Sequence, residues 1–437
     1  MKTWKFSLLT FLAVSAILFF GFSVRKFGEP EKKTKAFVPP KGCVFRTVMG
    51  EESSDLNSIY KTPENVQRSV DRGLSWIIRA QNQNGGWGAG SHGRQDILDP
   101  HAVQADPATT AMVSMALLRS GSTLKEGQYS GQLQKALEYL MIATEDSNVS
   151  SYNITELTGT QIQTKLGQNI DVILTAQFFS NVLDHASHDA ALKRRIQKNL
   201  NTCVSKIQHA QDDNGNIAGA GWAGVLQSSF AANALESAQA QGANVDEKKL
   251  ERSREAQKNN FDAKTGDVKT EMGAGVMLYS VSGSARASAK EARRVEEEIN
   301  KAKKSGTLNE DAPATAENLE KIGFDKDDAM KYSTAYEVYQ SAKVQAQRAD
   351  VMDGFGSNGG EEFLSYLQTG ESMVIGKDNS WQQWYDNISG RMLKIQNNDG
   401  SWNGHHCITS PVFCTATSLL ILSINNDIES LTKIGQK

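Results

Sequence analysis

Proline and cysteine are scarce in this chain, at 8 and 4 of its 437 residues. Four cysteines cannot form a disulfide framework over such a length. Cys407 and Cys414 are near enough in sequence to pair in an oxidising compartment. The other reading makes Cys203 and Cys414 small buried apolar residues of helices. Few prolines leave long stretches open to helix, and 36 glycines supply turns between them. An excess of one charge is missing as well. The formal net charge is −3, and basic and aromatic residues are not interleaved, which excludes nucleic acid as the main partner. The glycines of 354–360 lack a following Lys-Ser or Lys-Thr, so they are not a phosphate loop.

One long hydrophobic run is present, and it stands at the start. Lys2 and Lys5 precede the uncharged residues 6–24, which Arg25 and Lys26 close. As a helix this run spans about 28 Å, one hydrocarbon core. Residues 1–26 are therefore expected to be a signal peptide or a membrane anchor, with cleavage after Ser23 open to a signal peptidase. Lys32, Lys33 and Lys35 follow the run and weaken a positive-inside argument, but short N-terminal segments of this kind serve export. The expected location is extracytoplasmic, secreted or membrane-anchored. Residues 27–61 read as a charged, proline-bearing linker.

From residue 62 onward the apolar residues recur at helical spacing and mark pairs of helices. One member of each pair is amphipathic: near 64–82, 130–145, 189–211, 246–258, 330–348 and 380–397. The other is apolar on nearly all sides: near 107–120, 168–184, 220–239, 272–284, 359–375 and 411–424. A helix apolar all round is buried all round. The pattern predicts an all-α fold, an (α/α)6 toroid of six hairpins over residues 62–426, with an open solenoid as the alternative. Residues 286–328 break the rhythm and read as a charged surface insertion, a helix with little apolar face and then a loop. Residues 427–437 form a tail.

A turn recurs between the members of a pair. Gln81 to Trp87 and Gln396 to Trp402 share the spacing Gln-x-x-x-Gly-x-Trp. A degraded copy runs from Ala210 to Trp222, with its aromatic displaced, and another from Ala256 to Asp262. These turns resemble those of the squalene-cyclase and protein-prenyltransferase-β superfamily. The resemblance implies the toroid, a Gln that caps helix ends, a Trp that ties neighbouring hairpins, and an apolar or isoprenoid ligand in a central cavity. The family's catalytic signatures are missing. An Asp-x-Asp-Asp match at 325–328 lies in the charged insertion, no Gly-Cys-Gly-Glu-Gln thioester sequence occurs, and no Asp-x-Cys pair is present to hold zinc.

Site candidates stand ahead of the inner helices, whose N-termini aim amide donors and positive dipole ends at one mouth of the ring. Gly404-His405-His406-Cys407 precedes the last inner helix, and Glu361-Glu362 open the fifth. A Glu and a His on neighbouring hairpins make an acid–base pair, so Glu361, Glu362, His405 and His406 are the catalytic candidates. His405 and Cys407 are the candidate metal ligands. The bland alternative is helix initiation by the acids and a capping loop for the rest. No cofactor is identified. Trp381, Trp384 and Tyr385 share one helix face and read as core before carbohydrate platform. Three functions stay open: an enzyme on an apolar ligand, a non-catalytic binding or scaffold toroid, and a carbohydrate-active toroid.

Overall fold

The computed structural model describes residues 61–356, 359–427 and 431, so the N-terminal apolar run and the linker lie outside the described residues. Fifteen α-helices and no strand occur among those described. The first hairpins contain α1 (Glu64–Arg79), α2 (Pro107–Arg119), α3 (Ser130–Asp146), α4 (Gln161–Leu166) and α5 (Ile170–Val182). The middle ones contain α6 (Ala190–Ala210), α7 (Gly224–Ala240), α8 (Glu247–Lys258), α9 (Met277–Lys304) and α10 (Ala316–Lys321). The last contain α11 (Lys326–Gln345), α12 (Ala349–Met352), α13 (Gly360–Ile375), α14 (Trp381–Lys394) and α15 (Pro411–Leu422).

The most apolar helices make the inner ring. Each of α2, α5, α7, α13 and α15 is buried along almost its whole length. They touch in order: α2 on α5, α5 on α7, α7 on α9, α9 on α13, α13 on α15, and α15 back on α2. The ring therefore closes, and the fold is an (α/α)6 toroid, not an open solenoid. Asp106 and Ser410 start α2 and α15 alike. Each side chain accepts from the backbone N–H three residues on, and a proline fills the first helical position.

The recurring turn joins each outer helix to the next. Gln81 Nε2 donates to the Gln132 carbonyl of α3, Gln211 Nε2 to Lys249 of α8, and Gln396 Nε2 to Ser69 of α1. The turn glycine fits three residues further along the same neighbour. A Cβ on Gly85, Gly215 or Gly400 would lie 2.7, 2.3 or 2.7 Å from the carbonyl oxygen of Lys135, Arg252 or Arg72. All three glycines also have φ near +90°, which disfavours any side chain. Trp87 and Trp402 are fully buried, their indole N–H groups donating to the Ile77 and Met392 carbonyls.

The third turn corrects the expected alignment. Trp222 is not the displaced aromatic, for it is 66% exposed. Ile217 holds the buried place, six residues after Gln211, and its N–H donates to Ser228 of α7. Trp87 and Trp402 donate likewise to Thr110 and Thr415.

The charged stretch from residue 286 begins inside α9 rather than after it. That helix runs on to Lys304, and Val295, Ile299 and Ala302 form an apolar stripe at helical spacing. The stripe packs with Leu308, Leu319 and Ala329 in a second core apart from that of the ring. The charges therefore occupy only the other faces of a helix that does have an apolar side. Asp325 caps α11, accepting from the Asp328 N–H, which gives the Asp-x-Asp-Asp match a structural role. Trp381, Trp384 and Tyr385 are buried core. Cys203, Cys407 and Cys414 are all free thiols, the first and last buried.

Candidate functional site

Hydrogen bonds tie the starts of neighbouring inner helices into one rim, Ala108 N–H on Asp171, Asn169 N–H on Gln227 and the Tyr279 hydroxyl on Glu362, and two glycine-bearing loops meet there. A Cβ on Gly404 would lie 2.2 Å from the Ile408 carbonyl and 3.3 Å from the Gly359 Cα. A Cβ on Gly360 would lie 2.5 Å from the Ile408 Cβ. Only glycine permits this approach, and it sets the first turn of α13 beside Cys407.

Glu361 and Glu362 are both buried. Burial, and then the neighbouring Glu362, push the Glu361 carboxyl up to about 7; Lys165 and the Cys407 thiol act the other way. Glu362 Oε1 accepts from the Tyr279 hydroxyl (3.3 Å) and the Phe355 N–H (2.9 Å). The Oε2 atoms of both acids have no hydrogen-bond partner within the protein. Burial and the two carboxyls raise the Tyr279 phenol far above its ordinary range. Cys407 holds the left-handed conformation, φ +66°, and burial followed by Glu361 raises its thiol to about 11. The ring Nδ1 of His406 lies 3.1 Å from that sulfur.

Lys165 comes from α4, a short helix that Thr160 and Gln163 start as a capping box. It is 5% exposed, and its ammonium lies 4.5 Å from the Trp222 ring centre. His92 stands nearby; burial and then Lys165 lower its pKa. Large exposed apolar groups stand at the starts of neighbouring inner helices, Trp222 against Lys165 and Phe355 against His406. Trp222, Phe355 and Met277 are 66%, 57% and 36% exposed and precede or open α7, α13 and α9. The His406 ring meets the Phe355 ring edge-on at 5.1 Å.

The structure thus brings Glu361, Glu362, Cys407 and His406 into one neighbourhood and adds Lys165, Tyr279 and Trp222. His405 is exposed on the same loop. Among the described residues no three His, Cys, Asp or Glu side chains converge to hold a metal ion. Sequence reasoning passed over Lys165, although Thr160-x-x-Gln163 signals the helix that carries it.

A second acid pair, Asp106 and Asp171, lies on the same rim. Burial and Asp171 raise Asp106 to about 7. Its oxygens are taken by the Thr109 and Ala89 N–H groups at 2.7 and 2.8 Å, and those of Asp171 by the Ala108 N–H and Gln163 Nε2. These are caps that hold α2, α4 and α5 in register.

Among the described residues, the ring axis holds a small cavity. Residues of all six inner helices, among them Met112, Gln177, Phe230, Arg286, Leu367 and Leu420, enclose only ≈ 40 Å³. A water claims about 30 Å³ of liquid, and small-molecule sites run to about 300–1,000 Å³.

No family model matches the sequence, and no curated protein matches it. Among solved structures, the chain is similar to the type II terpene cyclase MstE from Scytonema, determined in complex with geranylgeranyl dihydroxybenzoate. The two are 12% identical with a TM-score of 0.44, over 83% of this chain and 98% of that one.

Proposed function

We propose that this is an exported or membrane-anchored toroid that works at the rim of its inner-helix N-termini. It binds a ligand with an apolar body and a polar head. The body lies on Trp222, Phe355 and Met277; the head reaches Lys165, Cys407 and Glu361. Glu361 is the proton donor or acceptor of the site. One observation carries this reading: a buried carboxyl with an unpartnered oxygen, raised to about 7, beneath exposed aromatic groups. The cavity of ≈ 40 Å³ argues against an isoprenoid lodged in the axis and favours the rim. It equally favours the second reading, a scaffold toroid with no ligand. Export rests on the apolar run 6–24. Among the described residues no helix is long and apolar enough to cross a membrane.

The test has two parts. Folded Glu361 keeps its proton up to about 7, whereas its ordinary value is 4.5. The folded state therefore binds more protons in that window, and stability falls as pH rises through it. Glu361→Gln should flatten that part of the urea-midpoint profile. Native mass spectrometry of the purified protein should then show a bound amphiphile, depleted in Glu361→Gln and in Trp222→Ala while both variants stay folded. A ligand retained in both variants would exclude the rim, and a protein with no ligand would leave the scaffold.

A further inference from the structure

A second cavity differs in character from the ring axis. It is a groove of ≈ 960 Å³ between α8, the C-terminal half of α9, the start of α11 and residues 376–379 after α13. Its lining is mostly charged and amide side chains, with five glutamates among the cations, which suits a polar ligand. Several of its cations are already engaged: Arg254 with Glu236, Lys331 with Glu251, and Arg293 and Lys377 with Glu297. Lys290, Arg294 and Lys304 have no carboxylate within 4.0 Å among the described residues.

These three are not equivalent. Lys304 is exposed. Arg294 lies over the Tyr332 ring, 4.7 Å from its centre, and donates to its hydroxyl, so its guanidinium is held in place. Lys290 is half-buried, and its pKa is lowered by burial and then by Arg254. A half-buried ammonium with no carboxylate in ion-pair contact is an arrangement that a bound anion would improve. Of the carboxylates that face it, the ionised Glu236 is shared with Arg254 and Arg286. Glu291 and Glu296 are both shifted toward the neutral form, chiefly by burial, and Glu247 is exposed at the start of α8. Neutral hydrogen-bonding groups complete the lining: the side-chain amides of Gln239, Asn300 and Asn379. Amides and cations lining one open groove suit a ligand that is hydroxylated as well as anionic.

We propose that this groove binds an acidic oligosaccharide, its carboxylate or sulfate on Lys290 and Arg294 and its hydroxyls on Gln239, Asn300 and Asn379. The site is separate from the rim and does not depend on that reading. Isothermal titration of the whole chain tests it with four probes: a chondroitin sulfate hexasaccharide, a galacturonate hexamer, neutral cellohexaose and inorganic phosphate. One or both acidic sugars should bind, the neutral one should not, and phosphate alone should bind more weakly. Sulfate and uronate are told apart by which of the two acidic chains binds tighter. Lys290→Gln and Arg294→Gln should each weaken binding about tenfold, the size of one charge-assisted hydrogen bond. Lys125→Gln, at an exposed loop, should not. Phosphate binding as tightly as the sugars would overturn the carbohydrate. Equal affinity in Lys290→Gln, or no binding of either acidic chain, would overturn the site.

Discussion

Trp402 shows how much a single side chain does in this ring. It belongs to the sixth hairpin, yet a Cβ on Gly73 of α1 would come within 2.8 Å of its indole. The indole is fully buried and fixed at both ends, by its own N–H on Met392 and by its backbone N–H on Thr415. Trp402→Ala should cost about 3–5 kcal/mol, the range for emptying an aromatic site, and a urea titration at constant slope reads it. A loss below about 1 kcal/mol would mean that the neighbours collapse into the space. The residue scale was partly legible. The Gln, Gly and Trp of the turn were identifiable because their spacing repeats. Ile217 was not legible as the third repeat's buried residue, because an aliphatic side chain stands there where the other two turns carry Trp. Lys165 was missed because it touches the site only through folding: nothing within its own segment marks it as the neighbour of residues 361 and 407.

Among the elements, α9 departs most from the reading of the chain. Its first half is inner ring and its second half leaves the ring to build a separate core. High charge concealed this. Three apolar positions in a stretch rich in Glu, Arg and Lys suffice when one face alone is buried, and the rest of the helix is wet or ion-paired. Because the second core shares no buried residue with the first, it should open separately. Ile299→Ala should cost about 2–4 kcal/mol locally. Hydrogen exchange should then speed up in α10 and the first turns of α11, while α2 and α15 keep their protection. Equal loss of protection around the ring would show that the two cores unfold as one. The other inner and outer helices were legible to within a few residues, since apolar periodicity marks them, whereas the short helices α4, α10 and α12 carry too few turns to show a period.

On the scale of the whole molecule, the question is what closure does. The sequence pointed to six pairs, but only contact between α2 and α15 distinguishes a ring from a solenoid. Arg119 fastens that seam. From the end of α2 it donates to the Leu420 carbonyl of α15 at 3.1 Å, to Glu371 of α13 at 2.7 Å and to Asp427 at 3.0 Å. The Arg119 side chain is 5% exposed, so Arg119→Met leaves two partly buried carboxylates without their cation. Breaking such a group by removing one partner costs about 3–5 kcal/mol. In an open solenoid, stability is summed from nearest neighbours, and the end hairpins would melt first as a separate early transition. In a closed ring there are no ends. Arg119→Met should therefore lower the midpoint of the ring's main transition without splitting it, with circular dichroism and tryptophan fluorescence moving together. An early fluorescence change confined to the first hairpin, with the rest of the ring intact, would show that the seam bears none of the load and that the hairpins act as a row.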